Sequence, residues 1–226
     1  MKKAIVTRAD DNIRTMTDIT HPVLKRYADK CDAEFLILSK ILDVHMHHSI
    51  FVLKDMLKDY DRIACIDSDV LITSKCPDIF KYVDVDKVGS IYEDIGSREP
   101  DRLNRIAKVQ IQRGSVGWKS GYINTGVCIF SKEHKAIFDI DLKKLWNDLG
   151  YDDVELGYQI HKNGMSIQEL PVEFNLMSMF TEPWCNKSKT DAFIIHYAGN
   201  GFHYGILREE QIRQDALVMA KYGMLC

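Results

Sequence analysis

The chain has 226 residues, with 30 Lys and Arg against 33 Asp and Glu (net charge −3) and 46% hydrophobic content. That length and balance suit one soluble globular domain over residues 1–226 and exclude the clustered basic surface that nucleic acid selects. No apolar run is long enough to span a membrane. The apolar stretch after Lys3 is too short for a signal peptide, so a cytoplasmic setting with reduced cysteines is expected.

Apolar runs and helical patterns alternate along the chain. Lys3–Thr7 (KAIVT) and Glu34–Leu38 (EFLIL) are predicted strands, and between them Val23, Leu24, Tyr27 and Cys31 recur at helical spacing, with Pro22 near a start or kink. Ile50, Leu53, Met56 and Leu57 predict a second helix that leads into the strand RIACI at Arg62. Lys87–Tyr92 and Tyr122–Phe130 are further predicted strands. Ile137, Phe138, Leu142, Leu145, Trp146 and Leu149 predict a helix ending near Gly150. Phe193–Gly199 is a late strand, and Ile212–Tyr222 a closing helix. The polar, glycine-punctuated stretch from Glu93 to Lys119 reads as a long functional loop over a site. Strand–helix alternation predicts an α/β domain around a mostly parallel mixed sheet flanked by helices.

The chemistry concentrates at IDSDVLIT. Asp67 and Asp69 follow the apolar run Arg62–Ile66, and burying charge there is costly unless something pairs with it. Residues two apart on an extended chain share a side, so both carboxylates can address one ion, and in parallel α/β sheets ligands bind beyond the carboxyl ends of strands. Oxygen donors suit Mg2+ or Mn2+ bridging carboxylates and phosphates. Three other readings compete. A solvated turn is one. A calcium loop is another, but Ile72 stands in its glycine slot. The third is the nucleophile strand of a haloacid dehalogenase-type phosphatase, whose motif belongs nearer the start of its sheet.

Four motifs in order decide between them: LKDYDRIACIDSDVLI, GYINTGVCIFSK, ELPVEFN and IIHYAG. Together they resemble the GT-A glycosyltransferases, specifically the glycogenin and bacterial galactosyltransferase type of family 8. The resemblance spans nearly the whole chain. It implies a Rossmann-like GT-A fold with a nucleotide-binding half over about residues 1–92 and an acceptor half over about residues 93–226. It implies transfer of a hexose from a nucleotide-diphosphate sugar, a UDP-sugar, to a glycan or other hydroxyl acceptor, with retention of configuration and with Mn2+ or Mg2+ as cofactor.

Residue by residue, the resemblance makes Asp67, Asp69 and His196 the metal ligands, with Ser68 between the two aspartates. It gives Thr7, Arg8 and Ala9 the nucleobase and ribose, Asn124, Thr125 and Gly126 the donor sugar, and Gly199 a place in donor binding. Its Asp-Gln pair falls on Asp152 and Asp153, so Asp stands where Gln is expected, and with Asn124 these are the catalytic candidates. A carboxylate there could serve as general base in an inverting enzyme, or simply cap a helix. Where the family carries a Lys in the helix before the D-x-D, this chain has Phe51, with Lys54 nearby. The Lys expected after the late histidine is also missing, which leaves His203, Arg98 or Lys119 as the base for the diphosphate. His45, His47 and His48 form a histidine cluster without acidic partners, and Phe180 and Trp184 are possible acceptor contacts. The alternatives that remain are the magnesium-dependent phosphatase and a non-catalytic sugar-nucleotide-binding module.

Overall fold

The computed structural model describes residues 1–39 and 44–226. Strand β1 (Lys3–Arg8) leads into helix α1 (Arg14–Lys30) and strand β2 (Glu34–Leu38), and the short helix α2 (Leu53–Met56) precedes strand β3 (Arg62–Ile66). Then come β4 (Val70–Ile72), β5 (Lys87–Ser90), α3 (Glu99–Arg113), β6 (Val127–Ser131), α4 (Tyr151–Lys162), β7 (Ser166–Glu169), β8 (Ile194–His196) and α5 (Arg208–Lys221). Six strands form one sheet in the order β2-β1-β3-β6-β5-β7. The pairs β1–β2, β1–β3 and β5–β7 are parallel, whereas β6 runs antiparallel to both its neighbours. The predicted α/β class with a mostly parallel mixed sheet is present.

Strand alternation sorts the core into two faces. Ile5, Ala64, Ile66, Val127 and Ile129 pack with α1, α5 and the β4–β8 ribbon. Ala4, Val6, Ile63, Cys65, Cys128 and Phe130 face the opposite way, toward Ile50, Leu53, Leu156 and Ile160. Cys65 and Cys128 lie opposite each other across β3 and β6, so both thiols serve as small core groups.

The expected strand Tyr122–Phe130 begins only at Val127, strands β4 and β7 were not expected, and four further departures bear on the site. Glu93–Lys119 is not a loop: α3 fills most of it, and only Ile106 and Val109 of its residues are buried. Its Pro at the first turn, the acidic Glu99 and Asp101 there and the terminal Gly114 are ordinary helix punctuation, masked by a largely charged surface. The second departure is the predicted helix over Ile137–Leu149, which is a pair of short 3-10 turns, Lys132–Phe138 and Leu142–Lys144. Side chains take over the backbone groups a helix would pair internally: Glu155 accepts from the Trp146 N–H at 2.7 Å, and Arg113 donates to the Lys144 carbonyl at 2.6 Å. Third, residues Met46–Val52 form a 3-10 turn and only Leu53–Met56 is α-helical. Fourth, the late strand does not join the main sheet. It pairs antiparallel with β4, placing His196 opposite Val70.

Candidate active site

Parallel strands β1 and β3 both end at one edge of the sheet, and the chain beyond β3 is tied there by its backbone. The Asp67 N–H donates to the Gly126 carbonyl at 2.9 Å, and the Tyr197 N–H to the Asp69 carbonyl at 2.9 Å. Ser68, between them, is buried: its hydroxyl donates to the Arg8 carbonyl at 2.7 Å and lies 2.9 Å from Thr7 Oγ1. Ser68 and Thr7 therefore anchor the D-x-D turn to β1 and leave the two carboxylates to project outward.

Asp67, Asp69 and His196 form the one group of three or more metal-ligating side chains among the described residues, each offering a ligand atom within 4.8 Å of the others. His196 Nε2 lies 3.2 Å from Asp69 Oδ1 and 3.9 Å from Asp67 Oδ2. The remaining oxygen of each carboxylate is held by an arginine: Asp67 Oδ1 by Arg8 and Asp69 Oδ2 by Arg208, the latter at 2.8 Å. Two carboxylates and one imidazole make a donor set that suits a Mn2+-like ion.

The imidazole is aimed by a chain of amides. His196 Nδ1 lies 2.7 Å from Asn175 Oδ1, Asn175 Nδ2 donates to Asn124 Oδ1 at 2.7 Å, and Asn124 Nδ2 donates to Glu93 Oε1 at 2.8 Å. Glu93 is in turn gripped by Arg102, whose Nε donates at 2.6 Å. With Asn175 Oδ1 accepting, Nδ1 carries the proton and Nε2 faces the two aspartates as a free ligand. Gly126 makes room for this ring: a Cβ there would sit 2.3 Å from His196 Cε1. The glycine thus makes room for the histidine, and it also lines the cleft.

Asp152 and Asp153 do not cap α4, which begins after Gly150 without a side-chain cap. Asp152 Oδ2 instead accepts from Arg8 Nη1 at 2.6 Å and from Thr125 Oγ1 at 2.8 Å. Asp153 Oδ1 accepts from the Thr125 N–H at 2.8 Å and lies 2.8 Å from the same hydroxyl, whose single proton serves one carboxylate at a time. Thr125 binds both aspartates, and Arg8, almost fully buried, bridges Asp67 to Asp152. Burial works against the Arg8 charge, but Asp67 and Asp152 outweigh it, and the guanidinium stays charged well beyond its ordinary range. Burial, then Asp152 and Glu93, hold the Asp153 carboxyl well above the usual carboxylate range. Burial also opposes ionisation of Asp69, yet His196 and Arg208 bring its carboxyl below that range. The same pairing raises His196 despite burial.

A cleft of about 260 Å³ gathers Asp67, Asp69, Asn124, Thr125, Gly126, Asp152, Asp153, His196, Gly199 and Arg208. A larger cavity of about 840 Å³ opens beyond β1 and β2 and is lined by Ala9, Asp10, Asp11, Asn12 and His21 among others. The structure brings most of the expected site residues together. His203 is exposed and outside the cleft, Arg98 lies 3.6 Å from Glu93, and Lys119 is exposed. Lys54 pairs with Asp139 at 2.5 Å, and Trp184 packs over Gly96 beside Phe180. His47 lies 3.7 Å from Asp152, and its ring stacks with those of His45 and Tyr151. Arg208, Asn175 and Glu93 went unnoticed in the sequence. Of the three only Asn175 carried a signal, as the last residue of ELPVEFN.

No protein-family model matches the chain, and no curated protein matches it in sequence. Solved structures do. A glycosyltransferase involved in the glycosylation of the major capsid of PBCV-1 superposes with a TM-score of 0.62 at 15% identity, over 95% of this chain and 100% of that one. The galactosyltransferase LgtC, solved with donor and acceptor sugar analogues, gives 0.63 at 16% identity over 95% of each chain. The chain adopts the GT-A fold. A more distant GT-A neighbour is a mutant Drosophila β1,4-galactosyltransferase 7 solved with manganese, UDP-Gal and xylobiose. It gives 0.52 at 13% identity, over 94% of this chain and 80% of that one. Identities this low carry the fold, and the chemistry of this GT-A chain rests on its own residues.

Proposed function

We propose that the chain is a metal-dependent glycosyltransferase that moves a hexose from a nucleotide-diphosphate sugar, a UDP-sugar, to a hydroxyl of a glycan or small acceptor. The observation that carries this reading is the cluster Asp67, Asp69 and His196 at the carboxyl edge of a GT-A sheet, with its imidazole already turned to present Nε2. These three would hold Mn2+ or Mg2+, and the bound ion offsets charge on the departing nucleoside diphosphate, an effect worth several kcal/mol. Residues 1–92 carry the nucleotide side: the base and ribose fit the cavity reached from Ala9, while the diphosphate meets the cleft near Gly199. Residues 93–226 carry Asn124, Thr125, Asp152 and Asp153, which face the sugar and the acceptor, and the acceptor oxygen replaces the diphosphate oxygen at the anomeric carbon with retention. The phosphatase alternative loses ground because β6 lies antiparallel beside the Asp67 strand.

Titration calorimetry with UDP and GDP, with and without Mn2+, tests the reading on the wild type and Asp69→Asn. Metal-dependent nucleotide binding that Asp69→Asn abolishes is expected. Turnover of UDP-sugars, with the product anomer read by NMR, then separates a transferase from a binding module. Absence of nucleotide binding under any metal overturns the proposal.

A further inference from the structure

A released nucleoside diphosphate carries more negative charge than one dication cancels, and it would sit in a cleft lined by four aspartates, so a further cation facing it is favoured. The implied partner, His203, is exposed and lies outside the cleft. Of the arginines at the site, Arg8 is buried and committed to three acceptors, Asp67, Asp152 and the His47 carbonyl. Arg208 is placed differently. It opens α5, lines the cleft beside Gly199 and keeps 28% of its side chain exposed, and among the described residues its side chain makes a single hydrogen bond, from Nη1 to Asp69. A guanidinium has five N–H donors in a fork that matches phosphate oxygens, so the rest of its donors stay available to a ligand.

The surroundings hold Arg208 in register with the cleft. Gln211, one turn along α5 and buried, knits the preceding loop to the helix. Its Oε1 accepts from the Phe202 and His203 N–H groups, and its Nε2 donates to the carbonyls of Asn200 and Ile206 and lies 3.1 Å from that of His203. Gly201 lies against Gln211 so closely that a Cβ would meet Oε1 at 2.5 Å. Asn200, Gly205, Ile206 and Leu207 from this loop line a second opening that shares Gly199 and Arg208 with the metal cleft. Arg208 therefore stands at the junction of two openings, against a metal carboxylate.

Building on the proposed function, we propose that Arg208 is a diphosphate ligand of this site: the guanidinium paired with Asp69 turns its free donors onto the terminal phosphate when a metal–nucleoside diphosphate enters. The donor's phosphates would thus be held by a residue on the C-terminal helix, outside the four motifs of the sequence resemblance. A purely structural role, orienting Asp69 alone, makes the opposite prediction for metal binding.

The test is calorimetry of Mn2+ alone, and of UDP, GDP and UMP in saturating Mn2+, on the wild type, Arg208→Gln and Arg208→Lys, with thermal melts to confirm folding. The expected result in Arg208→Gln is about a 10- to 100-fold loss of affinity for whichever diphosphate the wild type binds, as for removal of a charge-assisted hydrogen bond worth about 1.5–3 kcal/mol. UMP affinity should change less than threefold, Mn2+ affinity should hold or tighten, and Arg208→Lys should recover part of the diphosphate affinity. Equal losses for UDP and UMP, or weakened Mn2+ binding with diphosphate affinity otherwise intact, overturn the assignment and leave the proposed function standing. A wild type that binds no nucleoside diphosphate overturns both.

Discussion

At the scale of single residues, the site depends on which atom of each side chain is left free. His196 can offer Nε2 because Asn175 occupies Nδ1, and Asn175 is itself oriented by Asn124 and Glu93. Partners behind a metal ligand commonly contribute about 10- to 100-fold in metal affinity. Asn175→Ala is therefore expected to weaken Mn2+ binding by a factor in that range while the folded state persists, measured by calorimetry beside a circular dichroism spectrum. Unchanged Mn2+ affinity would show that the amide chain does not aim the imidazole. The two candidate carboxylates were visible in the sequence, as acids at i and i+2 after an apolar strand. The contacts of the amides that orient them were not: Asn124 and Asn175 both lie in the quoted motifs, but nothing in those motifs records that the two amides meet each other and His196. Arg8 shows the same limit. A cation at the end of a buried strand is visible in the sequence, but its bridge from Asp67 to Asp152 spans elements far apart along the chain.

Between elements, the close approach of β6 to β8 is the feature the site cannot lose. Gly126 immediately precedes β6, and the His196 ring at the end of β8 fills the space its missing side chain leaves. Gly126→Ala forces a methyl into that space. Overpacking of a tight site costs roughly 1–3 kcal/mol, and here displacement of the imidazole is the relief available. The variant is expected to melt somewhat lower and to lose metal-dependent nucleotide binding by a larger factor than stability alone accounts for. A variant with wild-type Mn2+ affinity would place the ring's freedom elsewhere. The elements themselves were unevenly legible. Strands β1, β2 and β3 stand out as short, continuous apolar runs, as buried strands must. Helix α3 did not stand out, because it presents only a narrow apolar stripe. The stretch before Gly150 looked helical by spacing, although Glu155 and Arg113 take its backbone groups instead. Those two residues come from α4 and α3, so the outcome there was decided by tertiary contacts.

Over the whole molecule, protonation couples to stability through several imidazoles held away from water. His21, His48, His134 and His161 all have lowered pKa values, with burial the leading cause. For a depressed imidazole the unfolded chain takes up a proton, near pH ~6.5, that the folded chain refuses, so each of these groups makes stability fall as pH drops below that value. His196 has the opposite sign, because its pKa is raised: its stabilisation is present in acid and fades as pH rises through the folded value. A difference between variants isolates the effect. His134 is fully buried, remote from the cleft, and accepts from the Ser131 N–H at 2.9 Å. His134→Gln is expected to be less stable than the wild type at pH 7.5 and to close that gap steadily from about pH 6.5 to pH 5, where the wild type bears the burial of an imidazole that would otherwise be charged. Denaturant midpoints across that range measure it, and a gap that does not change with pH would mean the imidazole titrates alike in both states.

The sequence by itself determined the fold class, because alternating strands and amphipathic helices leave few ways to bury their apolar faces. It also displayed the D-x-D pair by residue type, whereas the late histidine stood out only through the family resemblance of its motif. Only the tertiary structure decided that β8 leaves the main sheet to pair with β4, which sets His196 opposite Val70 and within reach of Asp69. Only there do Asp152 and Asp153 become hydrogen-bond partners of Thr125 and Arg8 in place of helix caps, and only there does Arg208 close on Asp69. Each of these contacts joins residues distant in sequence whose meeting depends on how the whole sheet closes, and no local pattern of residue types records that closure.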